Sequence, residues 1–163
     1  MLFNKQLTFK FKSSKLFSFA IVLVAQITPT PSQEFLELQQ LLESYDFTVK
    51  VEPPPRRTAY GLLQTKTRTI WINPIVFDLE IALPTLIHEA THGAQLCAGG
   101  GEISPLNLSI SPPNVARPFF TRYDNGLRRH LEAEAYAVQA HPEGYDMVID
   151  LLKEFCGDTK SKT

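Results

Sequence analysis

Pro84-Thr85-Leu86-Ile87-His88-Glu89-Ala90-Thr91-His92-Gly93-Ala94-Gln95 contains the pattern H-E-x-x-H, with His88 and His92 four residues apart and Glu89 beside the first. On a helix, residues i and i+4 stand one above the other on the same face. Two imidazoles stacked in this way can ligate one Zn²⁺ from a single rigid element, at Zn–N distances of about 2.0–2.1 Å. Glu89 is turned by about 100° from His88, so its carboxylate reaches past such an ion towards a water, the place of a general base. The helical wheel sets Thr85, His92 and Gln95 on the side of His88. Leu86, Ile87, Ala90, Ala94 and Cys97 fall on the other side, a back face suited to a core. Ala90 and Gly93 are small and let another element pack closely. A chance H-E-x-x-H in a chain of this length and composition has a probability on the order of one per cent. The competing reading is two exposed or hydrogen-bonded histidines on an ordinary helix.

Upstream of this helix, Ser32 precedes Phe35, Leu38, Leu41 and Leu42 at helical spacing, which predicts a helix as far as Tyr45. Phe47 to Val51 alternates as a strand does and is broken by Pro53-Pro54-Pro55. Tyr60–Gln64 and Arg68–Asn73 read as an antiparallel hairpin turning at Thr65-Lys66-Thr67. Asp78 is a candidate cap for the metal helix. Pro84 predicts a kink or a start near Leu83, with the helix running to Cys97. Downstream, residues 102–125 carry Pro105, Pro112, Pro113 and Pro118 and show no period, which predicts a long connection without elements of its own. Helices are expected from Leu127 to about Ala140 and from Tyr145 to Phe155.

The two ends of the chain differ from its middle. Lys5, Lys10, Lys12 and Lys15 precede the uncharged run Leu16–Ala25, and no acidic residue appears before Glu34. A basic stretch followed by a short apolar run is the layout of a secretory signal peptide or an N-terminal anchor. The expected organisation is a leader at 1–25, a Pro/Thr linker at 26–32, one domain at 33–157 and a polar tail at 158–163. Of the 16 basic residues, 12 remain without the leader lysines, against 17 acidic ones. That balance points to neither nucleic acid nor an anionic membrane surface as partner. The chain has two cysteines, Cys97 and Cys156. In an oxidising compartment they are candidates for a disulfide, and in a reducing one for small buried hydrophobes.

A catalytic zinc site wants a third protein ligand and a position left to water. Glu132 and Glu134, in Leu127-Arg128-Arg129-His130-Leu131-Glu132-Ala133-Glu134-Ala135-Tyr136-Ala137-Val138-Gln139, are the leading candidates. His130 and His141 are fallbacks, more readily read as surface or capping residues. On the wheel Glu134 lies nearer the apolar stripe of Leu127, Leu131, Ala135 and Val138, while Glu132 shares a side with Ala135 and Gln139. Whichever loses would be a solvated helix charge, paired with Arg128 or Arg129. Asp124 reads as part of a turn, and Tyr123 is the candidate donor to a developing oxyanion.

With these residues quoted, the chain resembles a small gluzincin-type zinc metallopeptidase of the zincin superfamily, in which the third ligand is a Glu on a later helix. Glu132 with Ala135 matches the E-x-x-A pattern that often accompanies that ligand, so the resemblance implies Glu132, with Glu134 second. The hairpin holding Gly61 and Arg68-Thr69-Ile70-Trp71-Ile72-Asn73 is also similar to that group, whose corresponding strand binds an extended substrate by edge pairing. Tyr136 departs from the pattern, since many relatives carry Asn or Asp there. The resemblance spans about residues 45–140. It implies a minimal zincin-like α+β fold, a small antiparallel or mixed sheet packed on the metal helix. It also implies one catalytic Zn²⁺ on His88, His92 and Glu132, with Glu89 as general base in hydrolysis of a peptide or protein substrate. The alternatives are a catalytically silent zincin-like binding module and another zinc hydrolase. A peptide deformylase fits poorly, because it uses a Cys ligand upstream of the motif.

Overall fold

In the computed structural model, which describes residues 30–157, Ser32 starts the first helix by accepting the Phe35 N–H on its Oγ at 3.2 Å. The leader, most of the linker and the tail expected from the sequence lie outside the described residues. Helix α1 (Gln33–Ser44) buries Phe35, Leu38 and Leu42. Three strands follow: β1 (Thr48–Val51), β2 (Gly61–Gln64) and β3 (Thr69–Ile72). β2 and β3 form the expected antiparallel pair, Gly61 opposite Ile72 and Gln64 opposite Thr69, joined by a 3₁₀ turn at Thr65–Thr67. β1 lies parallel to β3, from Thr48 against Thr69 to Val51 against Ile72. The order β1-β3-β2 makes a mixed sheet with β3 in the middle and β2 on an edge. Arg68 enters β3 in the left-handed region, at φ +49°. Its guanidinium holds it there, donating to Tyr45 O at 2.9 Å and lying 4.0 Å from the Phe47 ring centre.

Asp78 does not cap the helix that carries H-E-x-x-H. It ends a separate single turn, α2 (Ile75–Asp78), and α3 (Ala82–Ala98) begins after Ile81 without a side-chain cap. This start places Pro84 in the first turn, where a backbone N–H has no helical acceptor to lose, so no kink is needed. From Thr85 to Cys97 every residue of α3 is buried. The small back face has the use its composition implies: a Cβ added at Gly93 would lie 3.2 Å from Phe47 Cζ. The helix stops at Gly99-Gly100-Gly101, with Gly100 at φ +64°, a conformation that costs other residues more.

The connection 102–125 is not without elements. A 3₁₀ turn at Asn114–Ala116 runs into α4 (Arg117–Thr121), with Pro118 in its first turn. A proline read as a breaker here initiates a helix, because its fixed φ suits the first turn. Asn125 caps α5 (Gly126–Gln139), its Oδ1 accepting from Arg128 N–H at 3.1 Å. His141 accepts from Glu143 N–H at 3.1 Å in the turn before α6 (Gly144–Gly157). Six helices and one three-stranded mixed sheet among the described residues make an α+β fold. α1, α5, α6 and the sheet all pack on α3, and no described helix is long and apolar enough to cross a membrane.

Cys97 and Cys156 are joined as a disulfide with a sequence separation of 59, which ties the end of α3 to the end of α6. Closing a loop of that length in the unfolded chain corresponds to about 4 kcal/mol in the chain-entropy account, with measured values commonly about 2–4 kcal/mol. Cys97→Ser/Cys156→Ser should therefore lower the free energy of unfolding by about 2–4 kcal/mol in urea titration. Reductant should do the same to the wild type and nothing to the variant. A wild type indifferent to reductant would contradict the linkage.

Candidate metal centre

His88 and His92 occupy adjacent turns of α3, their rings edge to face with centres 4.9 Å apart. Each is 9% exposed, so each ring nitrogen needs a partner. His88 Nδ1 meets Gln139 Oε1 of α5 at 2.9 Å, and His92 Nδ1 meets Gln95 Oε1 of α3 at 2.7 Å. An amide oxygen only accepts, so both Nδ1 atoms carry the proton in the neutral rings and both Nε2 lone pairs are left for an ion. Glu132 of α5 closes the group, its Oε2 lying 3.5 Å from His88 Nε2 and 3.9 Å from His92 Nε2.

These three side chains could hold a metal ion: one atom of each lies within 4.8 Å of the others. A tetrahedral ion with bonds of about 2.0–2.2 Å separates its donors by roughly 3.3–3.6 Å, close to the two carboxylate–imidazole distances. Two imidazoles and one carboxylate are also the donor set of one kind of catalytic zinc site.

Glu89 is 6% exposed and lies between β2 and the His88–His92–Glu132 cluster, interacting with Leu63 of β2 and with all three of those side chains. Burial pushes its carboxyl up from the ordinary value, with the charges of His88 and His92 opposing and Glu132 adding, while Leu63 N–H donates to the carboxylate. A Cβ added at Gly61 would lie 2.6 Å from Glu89 Oε1 and 2.9 Å from Thr85 Cγ2. Gly61 is thus the residue that lets the strand edge close on the carboxylate. Burial works against charge on Glu132 too, but His88 and His92, which donate to its carboxylate through Nε2 when their rings are protonated, outweigh it and hold that carboxyl far below the usual range. His92 moves the opposite way: Glu132 and Glu89 overcome its burial and raise its pKa.

Glu134, the second candidate for third ligand, is directed elsewhere and is not a solvated charge. It is 4% exposed and accepts from Gln95 Nε2 at 2.9 Å and from the Leu106 and Leu108 N–H groups at 3.0 and 3.2 Å. His130 lies 3.3 Å from it on the exposed side of α5, and neither His130 nor His141 joins the cluster. Asp124 sits in an exposed bend. Tyr123 stands on the rim, its ring 4.2 Å from the Arg128 guanidinium; Arg128 in turn is 3.9 Å from Glu132 Oε1. The tyrosine set against a ligand histidine is Tyr136, with ring centres 4.6 Å apart from His88 and Phe119 stacked behind it at 5.8 Å. Sequence reasoning left Gln95, Gln139 and Tyr136 without a role. The signal was present in spacing, since Gln95 is one turn beyond His92, and Tyr136 and Gln139 are one and two turns beyond Glu132.

Comparison with known protein families, with curated proteins and with solved structures finds no match for this chain.

The shifts predict how the metal-free protein responds to pH. Glu132, lowered in the fold, contributes stability that is present above about pH 4.3 and lost as pH falls towards its folded value. His92, raised, contributes stability that is full below about pH 6.5 and lost as pH rises through its folded value. Glu89, also raised, acts in the same direction as His92. In chelator, urea midpoints should be highest in the mildly acid range and decline towards alkaline pH. With Zn²⁺ the alkaline decline should reverse, because the ligands bind deprotonated. Identical pH profiles with and without zinc would contradict the assignment of the ligands.

Proposed function

We propose that this chain is a zinc-dependent peptide hydrolase of the zincin kind, with His88, His92 and Glu132 as metal ligands and Glu89 as general base. The observation that carries the reading is the placement of Glu89: a buried carboxylate adjoining the His₂Glu cluster, pressed at the same time against an open sheet edge. When bound, zinc supplies Lewis-acid polarisation of a carbonyl and lowers the pKa of water from 15.7 towards about 7.

The rest of the chemistry falls to the chain's own groups. Gln95 and Gln139 hold the imidazoles with Nε2 towards the ion. Glu89 takes the proton of the attacking water on its carboxylate and gives it to the leaving amine nitrogen. Asn73 N–H bonds Tyr60 O at 2.8 Å, which fixes the alternation along the β2–β3 ladder. Gly61 and Leu63 therefore turn their backbone groups to the open edge of β2, the side of Glu89. An extended peptide paired there would run past the metal ligands, which supports a peptide rather than a small ester or amide as substrate. Export belongs to the same proposal and is supported by the Cys97–Cys156 disulfide, a bond typical of oxidising compartments.

Glu89→Gln should retain about one zinc per chain and lose about 10²–10⁴-fold in kcat/KM on a quenched-fluorescent peptide library. Undiminished hydrolysis in that variant, with contaminating protease excluded by a chelator control, would sink the mechanism. A zinc-loaded wild type that cleaves nothing would favour the silent binding module. Gly61→Ala tests the strand edge. It should displace the Glu89 carboxylate without touching a ligand, so kcat/KM should fall while zinc content, read by mass spectrometry, stays at the wild-type value. Unchanged kcat/KM would remove Gly61 from the argument.

A further inference from the structure

Glu134 touches no metal ligand, yet it is the most heavily hydrogen-bonded side chain near the site. Its Oε2 accepts from Gln95 Nε2 and Leu106 N–H, and its Oε1 from Leu108 N–H. Gln95 Nε2 also donates to Leu131 O at 3.1 Å. Both partners of that amide nitrogen, a carboxylate and a carbonyl, are acceptors only. The orientation of the Gln95 amide is thereby decided: turned over, its oxygen would face two further oxygens in a buried setting. With NH₂ held towards Glu134 and Leu131, Oε1 must face His92, and the proton of His92 must sit on Nδ1.

We propose that Glu134 is a positioning residue which, through Gln95, selects the metal-binding tautomer of His92 and ties it to the backbone of the 106–108 segment. The residue must be a carboxylate. A glutamine at 134 would bring its own NH₂ to this cluster of donors and give the Gln95 oxygen a donor to turn towards. Gln95 would then present its NH₂ to His92 Nδ1, favouring the tautomer with the proton on Nε2, which cannot bind an ion there. The 106–108 backbone is coupled to the same choice, since its two N–H groups hold the carboxylate in the orientation that Gln95 reads. The inference rests on the metal site proposed above but not on peptide hydrolysis, and it is tested without substrate.

The measurement is the affinity for Zn²⁺ alone, by competition with a chromophoric chelator, in wild type, Glu134→Gln, Gln95→Ala and the double variant. Glu134→Gln should bind zinc about 10–100-fold more weakly, the usual effect of removing an orienting partner of a ligand histidine. In the Gln95→Ala background the same substitution should cost no further affinity, because residues acting along one path are not additive. Wild-type affinity in Glu134→Gln, or independent and additive losses, would overturn the proposal. A wild type that binds no zinc would instead overturn the metal site itself. Should Glu134→Gln not fold, nitrogen-detected NMR of the zinc-loaded wild type decides the question. His92 is expected to bind through Nε2 with a slowly exchanging Nδ1–H, and binding through Nδ1 would overturn the assignment.

Discussion

A helix buried from Thr85 to Cys97 that carries Thr85, His88, Glu89, Thr91, His92 and Gln95 on its inaccessible faces imposes a demanding condition. Each of these groups loses water, and an unpartnered polar group in such a place costs on the order of 1–3 kcal/mol. The two threonines are satisfied within the helix, by Ile81 O and Ile87 O. The other four are not fully satisfied there, although His92 and Gln95 bond each other. They draw in Gln139, Glu132 and Glu134 from α5, Leu63 from β2 and the Leu131 carbonyl, so elements far apart in sequence have to meet at α3. The fold and the site therefore follow from one requirement. The apolar faces of α1 and α6 give the helix its bulk burial, and the polar partners decide which faces of α5 and β2 turn towards it.

Much of this architecture was legible in the chain. Helical spacing located α1, α3, α5 and α6, because their apolar stripes are long and regular. The antiparallel hairpin was legible because its turn lies between two short β-rich runs. The strand β1 was legible in its alternation, but its parallel pairing with β3 was not, since pairing between strands separated by a proline-rich excursion leaves no local trace. Of the two readings of Pro84, a helix start near Leu83 was close, since α3 begins at Ala82; Pro118 was misread, because a proline is read as a breaker until its distance from a helix start is known. The short α4 was hidden by the same proline.

The choice between Glu132 and Glu134 shows the limit of the wheel. The two residues differ by about 200° around α5, yet both are turned inwards, because α5 is packed against α3 along one side and against the 102–113 connection along another. A wheel assumes one buried face. Where a helix is gripped from two directions, hydrophobic bias cannot say which carboxylate meets which neighbour, and the E-x-x-A resemblance pointed to Glu132 on other grounds. The glutamine partners of the histidines were invisible for a related reason. A neutral amide attracts notice only when its acceptor end is known to face a ring nitrogen.

The Cys97–Cys156 bond has a bearing on the site beyond holding two helix ends together. It closes the chain into a ring that starts five residues after His92 and encloses Glu132, Glu134 and Gln139. His88 and His92 lie just outside that ring, and in the unfolded chain the covalent route from His92 to Glu132 through the disulfide is shorter than the route along the backbone. The shorter route raises the effective concentration of the two for one another in the unfolded chain. Oxidation of the chain therefore lowers the entropy cost of bringing the residues of the candidate site together.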